Sequence, residues 1–188
     1  HAPGFINMHV DPAVLSRDLG VQLHHFGLEE FFDLVEGQSE EAVEEDVARA
    51  AAMGLPFEDG SGPEDLAPNS RYYLAMKALL CDENLDALAV RCWPELPGRF
   101  GAWPYLAMAR LADEGLIVAL EGDADGAITC LAGRLLGWGT GYLSDWLEHD
   151  AHSITLWHPG HAPSALCEPG SARLGRHFNN CLPLVVEA

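Results

Sequence analysis

Positive charge is scarce in this chain. Ten Lys and Arg stand against twenty-nine Asp and Glu, a formal net charge of -19. Nucleic acid and anionic membranes are held by clustered cations, so the balance argues against both as partners. Long apolar runs are also missing, and nothing approaches the ~20 consecutive apolar residues that cross a bilayer. Cys81, Cys92, Cys130, Cys167 and Cys181 form no CxxC pair and are odd in number, which argues against a zinc module or a disulfide scaffold. Such cysteine usage suits a reducing compartment, and a cytoplasmic location is expected. Cys92 and Cys130 sit inside apolar patterns and read as small core residues. Internal repeats and low-complexity segments are absent. The chain opens on His1 with no charged-then-apolar leader after it, and residues 182–186 stop mid-pattern, so a fragment of a longer protein is expected.

What is present is a real core. The 188 residues are 48% hydrophobic, enough for one domain or one and a fraction. Residues 21–26 read as a strand. Residues 28–53 carry apolar side chains at helical spacing, divided into two helices at Gly37. Residues 40–46 are an acidic run that reads as a solvated helix face. Residues 56–68 read as a loop. Asn69 and Ser70 are placed to cap a helix running to residue 80. Strands over 86–90, 116–120 and 142–144 then alternate with helices over 103–111 and 125–136. That alternation predicts an α/β fold with a mainly parallel sheet flanked by helices. After Asp145 it stops. A strand over 153–157 and the irregular stretch 159–169 predict the beginning of a β-rich C-terminal domain, so the expected division is 1–150 and 151–188.

Chemistry gathers where these elements end. The apolar run 116–120 closes on Glu121, the next strand runs into Asp145, and the last runs into His158 and His161. Ligands in open α/β sheets bind outside the carboxyl ends of the strands. Taken alone, Glu121 reads as a cap or a solvated carboxylate. Asp123 is the better N-cap for the following helix, however, which leaves Glu121 without a structural task. Asp145 alone reads as a turn residue, and either histidine as a packed core residue. Together, two carboxylates and one imidazole make a mixed oxygen and nitrogen shell suited to Mn²⁺, with Mg²⁺ or Co²⁺ tolerated. Such a shell leaves positions open for substrate oxygens. Arg91 and Trp93 follow another strand and should reach the same rim, Arg91 to hold an anionic or polyhydroxyl ligand and Trp93 to stack on a sugar; the plainer reading is a surface Arg beside a packing aromatic.

The sequence resembles the L-fucose isomerase-like sugar isomerases, which are related in fold to L-arabinose isomerase. The resemblance rests on Ala89-Val90-Arg91-Cys92-Trp93-Pro94-Glu95, Asp113-Glu114-Gly115, Ala119-Leu120-Glu121-Gly122-Asp123-Ala124-Asp125-Gly126-Ala127, Asp145, and Leu156-Trp157-His158-Pro159-Gly160-His161-Ala162-Pro163, in that order. It is best over residues 86–163. It implies the middle α/β domain of such an isomerase plus the start of its C-terminal domain, with the N-terminal domain absent. It implies interconversion of an aldose and a ketose through a cis-enediol, on a free pentose or 6-deoxyhexose of the L-fucose, D-arabinose or L-arabinose kind. It also implies a homo-oligomer, trimeric or hexameric. Carried over by position, Glu121 and Asp145 are the metal-binding and catalytic carboxylates, and either His158 or His161 is the third ligand. Pro159 and His161 depart from the motif of some relatives, which leaves the sugar preference open. Two other readings fit the same residues: a non-catalytic sugar-binding module, and a metal-dependent lyase on this scaffold.

Overall fold

The computed structural model describes residues 4–58, 60–139, 141–158, 160–178 and 181–187. Helices form where local signals and apolar spacing agree. Asp11 caps α1 (Pro12–Leu19) by accepting from the Ala13 amide. Gly37 ends α2 (Leu28–Glu36), and Ser39 caps α3 (Glu40–Ala51), so the division expected at Gly37 is observed. The helix expected at Asn69 starts earlier, as α4 (Leu66–Asp82), led in by a 3-10 turn over Pro63–Asp65. Asn69 and Ser70 are therefore buried inside a helix and do not cap it. Its shorter successors are α5 (Glu95–Phe100) and α6 (Tyr105–Asp113). In α7 (Ala124–Leu135) Asp123 caps as expected, its carboxylate accepting from the Gly126 amide at 2.8 Å.

The fold is α/β, with very short strands. β1 (Leu88–Ala89) and β2 (Val118–Ala119) pair in parallel, joined by a crossover through α5 and α6. β3 (Asp145–His149) and β4 (Ile154–Trp157) form an antiparallel hairpin, and β5 (Arg173–Arg176) pairs antiparallel with β6 (Pro183–Glu187). Residues 21–26 form no strand, because no neighbouring segment offers them a ladder. Residues 142–144 form none either; the chain turns extended only at Asp145.

The main core packs Phe31, Phe32 and Val35 of α2 against Tyr72, Met76 and Leu79 of α4, with Met108 and Leu111 of α6. Val185 of β6 enters the same core. Leu174 and Val186 pack with Leu66, Leu106 and Ala109 beside it. Residues after 150 are thus tied to the helical body through β5 and β6. The acidic run was expected to be solvated, but Asp46 is fully buried, because its carboxylate is held by Arg110. No helix among the described residues is long and apolar enough to cross a membrane.

Candidate functional site

Parallel pairing sends the carboxyl ends of β1 and β2 out on the same side. The Val90 amide donates to the Ala119 carbonyl at 2.8 Å, and the Gly122 amide returns to the Val90 carbonyl at 2.9 Å. Between them Glu121 adopts the left-handed region, with φ 58°. Side chains other than Gly and Asn seldom adopt that conformation, which costs roughly 1 kcal/mol or more. The Asp123 amide closes the turn onto the Leu120 carbonyl at 2.9 Å. The Glu121 amide donates to the Cys92 sulfur at 3.3 Å, and the Trp93 side chain lies close enough to the Glu121 carboxylate to favour its charged form. Trp93, expected to stack on a sugar, meets Phe5 edge-to-face at 5.6 Å and serves Glu121. Arg91, expected to hold a ligand, is engaged with Glu95, its Nε donating to Oε2 at 3.0 Å.

Asp145 opens β3 instead of ending a strand, and it is exposed. Its charge nevertheless reaches Glu121. Burial pushes the half-buried Glu121 carboxyl above its ordinary value, and the negative charges of Asp145 and Asp123 push the same way. The Trp93 side chain opposes them without prevailing. Asp145 also acts on Tyr142, whose hydroxyl donates to the His158 carbonyl at 2.7 Å. The two carboxylates expected to act together are therefore electrostatic neighbours.

The histidines are placed by β6. The Val186 amide donates to the Gly160 carbonyl at 2.8 Å, docking the turn that carries His158 and His161. Their rings lie edge-to-face with centroids 4.8 Å apart. Tyr105 faces both, at 5.9 and 6.1 Å, and Tyr142 lies 4.9 Å from His161. His177, not singled out in the sequence, joins the group by stacking on Trp103 at 4.4 Å. Burial and the neighbouring His158 hold His177 below the ordinary imidazole value, favouring its neutral form. Tyr105 links the two halves. Its hydroxyl lies close to Cys92, and its pKa is pushed up by burial first and then by Cys92 and Glu121. Tyr105, Tyr142 and His177 carry no signal in the sequence that sets them apart from ordinary packing residues, and Cys92 reads there only as a small core residue.

Gly160 makes this docking possible. Its φ is +84°, and an added Cβ would stand 2.6 Å from the Val185 Cβ and 2.7 Å from Tyr105 Cδ2. Gly160→Ala is expected to cost about 2 kcal/mol from overpacking and backbone strain. The urea midpoint measures this directly, and an unchanged midpoint would mean the turn can move aside.

Among the described residues no three His, Cys, Asp or Glu side chains gather into a group able to hold a metal ion. The donor chemistry of the carboxylate pair fits one hard divalent cation, because each charge raises the cost of the other. The imidazoles pack on Tyr105 and Tyr142 instead of joining it. A cavity of about 170 Å³ lies elsewhere, between α6, β2 and α7, lined by Met108, Leu116, Val118, Cys130, Leu143 and His161. Neither Glu121 nor Asp145 borders it.

No protein-family model matches the chain. Curated relatives do. A protein from Priestia aryabhattai is 30% identical over 185 residues, covering 95% of this chain and 41% of the relative. One from Alkalicoccus urumqiensis is 27% identical over 193 residues, covering 100% and 43%. One from Clostridium sp. (strain MSTE9) is 26% identical over 168 residues, covering 88% and 37%. All three are named sulfoquinovose isomerase. The chain spans about two fifths of the length of the first of them. That shared name agrees with the sugar-isomerase part of the resemblance seen in the sequence and leaves its L-fucose isomerase-like part untested.

Proposed function

We propose that the whole protein is a metal-dependent aldose–ketose isomerase acting on a free sugar, and that this chain supplies its proton-transferring carboxylates. The observation that carries the reading is a half-buried Glu121 just past the parallel strand β2, within reach of the negative charge of Asp145. Glu121 and Asp145 would hold Mn²⁺, Mg²⁺ or Co²⁺; the resemblance adds His158 or His161 as third ligand, which would have to turn from its packing on Tyr105 or Tyr142 to reach the pair. When bound, such a cation polarises the sugar carbonyl and stabilises the negative charge that develops on its oxygen.

The chain's own groups do the rest. Ionised Glu121, its proton affinity raised by burial and by the charge of Asp145, takes the proton from C2 of the open-chain aldose. O1 gains a proton, which gives the cis-enediol. Delivery of a proton to C1, with loss of the one on O2, gives the ketose. Asp145 lies near enough for its negative charge to keep the affinity of Glu121 for its proton high. Trp93, close to the Glu121 carboxylate, favours its charged form. Pentoses and 6-deoxyhexoses are candidate substrates from the resemblance, and sulfoquinovose from the names of the relatives. In the whole protein, residues 1–150 would be a middle α/β domain and 151–188 the start of a β-rich one, in a cytoplasmic trimer or hexamer.

The test is ketose formation by the full-length protein from L-fucose, D-arabinose, L-arabinose and sulfoquinovose. Mn²⁺ is supplied first and EDTA is then added. Turnover of at least one sugar, abolished by EDTA and restored by Mn²⁺, is expected. Saturable sugar binding that survives EDTA without turnover would make the protein a binding module instead.

A further inference from the structure

We propose that Cys92 is the positioning residue for Glu121: its buried sulfur sets the left-handed backbone from which the Glu121 carboxylate projects. This deepens the isomerase reading above and rests on it for its functional consequence. The geometric part stands alone.

The chain leaves β2 through a turn whose second residue is Glu121, at φ 58°. Something must hold a glutamate there, because the extended alternatives are cheaper for a side chain with a Cβ. The flanking amides bond to backbone carbonyls, Gly122 to Val90 and Asp123 to Leu120, each at 2.9 Å. The Glu121 amide itself reaches no carbonyl among these contacts. It donates to the Cys92 sulfur at 3.3 Å, a normal approach for an acceptor as large as sulfur. The sulfur is fully buried, and the hydroxyl of Tyr105, the first residue of α6, lies close enough to influence it. The next residue along, Trp93, lies close to the carboxylate of the same glutamate. Adjacent residues of one loop thus meet the Glu121 backbone and its side chain.

A thiol in a core is usually a small hydrophobe, and that reading makes a different forecast. If Cys92 only fills space, valine, close to it in size and apolar, should replace it well. Serine should be poor, as a hydroxyl in an apolar setting. If Cys92 works as an acceptor, the order reverses at Glu121. Serine keeps an acceptor for the amide, whereas valine leaves a buried N–H unsatisfied.

The experiment compares Cys92→Ser and Cys92→Val with the wild-type chain by two readouts. Amide hydrogen exchange at Glu121 reports the bond itself, and the Mn²⁺ dissociation constant, read by the electron paramagnetic resonance of free Mn²⁺, reports the carboxylate. Cys92→Val is expected to speed exchange at Glu121 by about tenfold or more, the size of one lost hydrogen bond. Its Mn²⁺ affinity should fall by about the same factor, while Cys92→Ser stays near wild type in both. Wild-type exchange in Cys92→Val, or faster exchange in Cys92→Ser than in Cys92→Val, overturns the proposal. If the wild-type chain binds no Mn²⁺, the metal part of the isomerase reading fails, and the exchange comparison still decides the role of Cys92.

Discussion

Glu121→Gln is expected to lose ketose formation by roughly 10²–10⁴-fold, the usual worth of a positioned general base, while making the metal-free protein more stable at neutral pH. The second half follows from the direction of its pKa. Burial and the charge of Asp145 raise the carboxyl above its unfolded value, so the folded state favours the protonated form. The stability this brings is complete below the unfolded carboxylate value and is lost as pH rises through the folded one. At neutral pH an ionised Glu121 opposes folding, and a neutral amide of the same shape does not. The gap in melting temperature between variant and wild type should therefore be small in acid and widen toward pH 7. Wild-type turnover in the variant would remove Glu121 from the chemistry, and a variant that melts earlier at pH 7 would contradict the electrostatic account.

The largest effect on folding is expected at Asp46. Its two oxygens accept from the two terminal nitrogens of Arg110, each at 2.8 Å, with the pair almost wholly out of water. The Arg110 guanidinium lies 3.9 Å from the centre of the Tyr73 ring, and Lys77 donates to the Tyr73 hydroxyl at 2.7 Å while pairing with Glu114. This network joins α3, α4 and α6 beneath the main core. Asp46→Ala leaves a buried guanidinium without its carboxylate and should cost about 3–5 kcal/mol in urea unfolding. Removing both partners, as Asp46→Leu with Arg110→Met, should recover much of it, because the desolvation cost disappears with the charges. Burial alone would raise the Asp46 carboxyl. The Arg110 hydrogen bonds and charge, helped by Ser70 and Arg49, more than reverse this and hold it below the ordinary range. Its stabilisation is thus present above the unfolded carboxylate value and is lost as pH falls through the folded one. A single substitution costing less than about 1 kcal/mol would show that water reaches Arg110.

These two residues mark what could and could not be read from the chain. The place of Glu121 in the fold was legible, because a buried apolar run has little reason to end on a carboxylate, and the residue does follow a parallel strand, where the charge of Asp145 acts on it. The division at Gly37 and the cap at Asp123 were legible for the same reason, since the forces that set them act within a few residues. Asp46 was not, because nothing in an acidic run tells which carboxylate will meet an arginine 64 positions away. His177 and β5 were hidden likewise. Arg173-Leu174-Gly175-Arg176 has little apolar alternation, and its burial comes from α6 and β6, which only the folded chain brings near. Residues 142–144 look like a strand, yet the ladder forms one step later, which moves Asp145 from the end of an element to its beginning.

That shift has a material consequence. Every residue of β3 and β4 is exposed, Trp146, Leu147, Ile154, Leu156 and Trp157 among them. A lone two-stranded ribbon is marginal in water, and this one presents greasy side chains along with unpaired backbone donors on its outer margins. Such margins invite other extended peptides to add on, so in concentrated solution they are the place where self-association of this polypeptide would start.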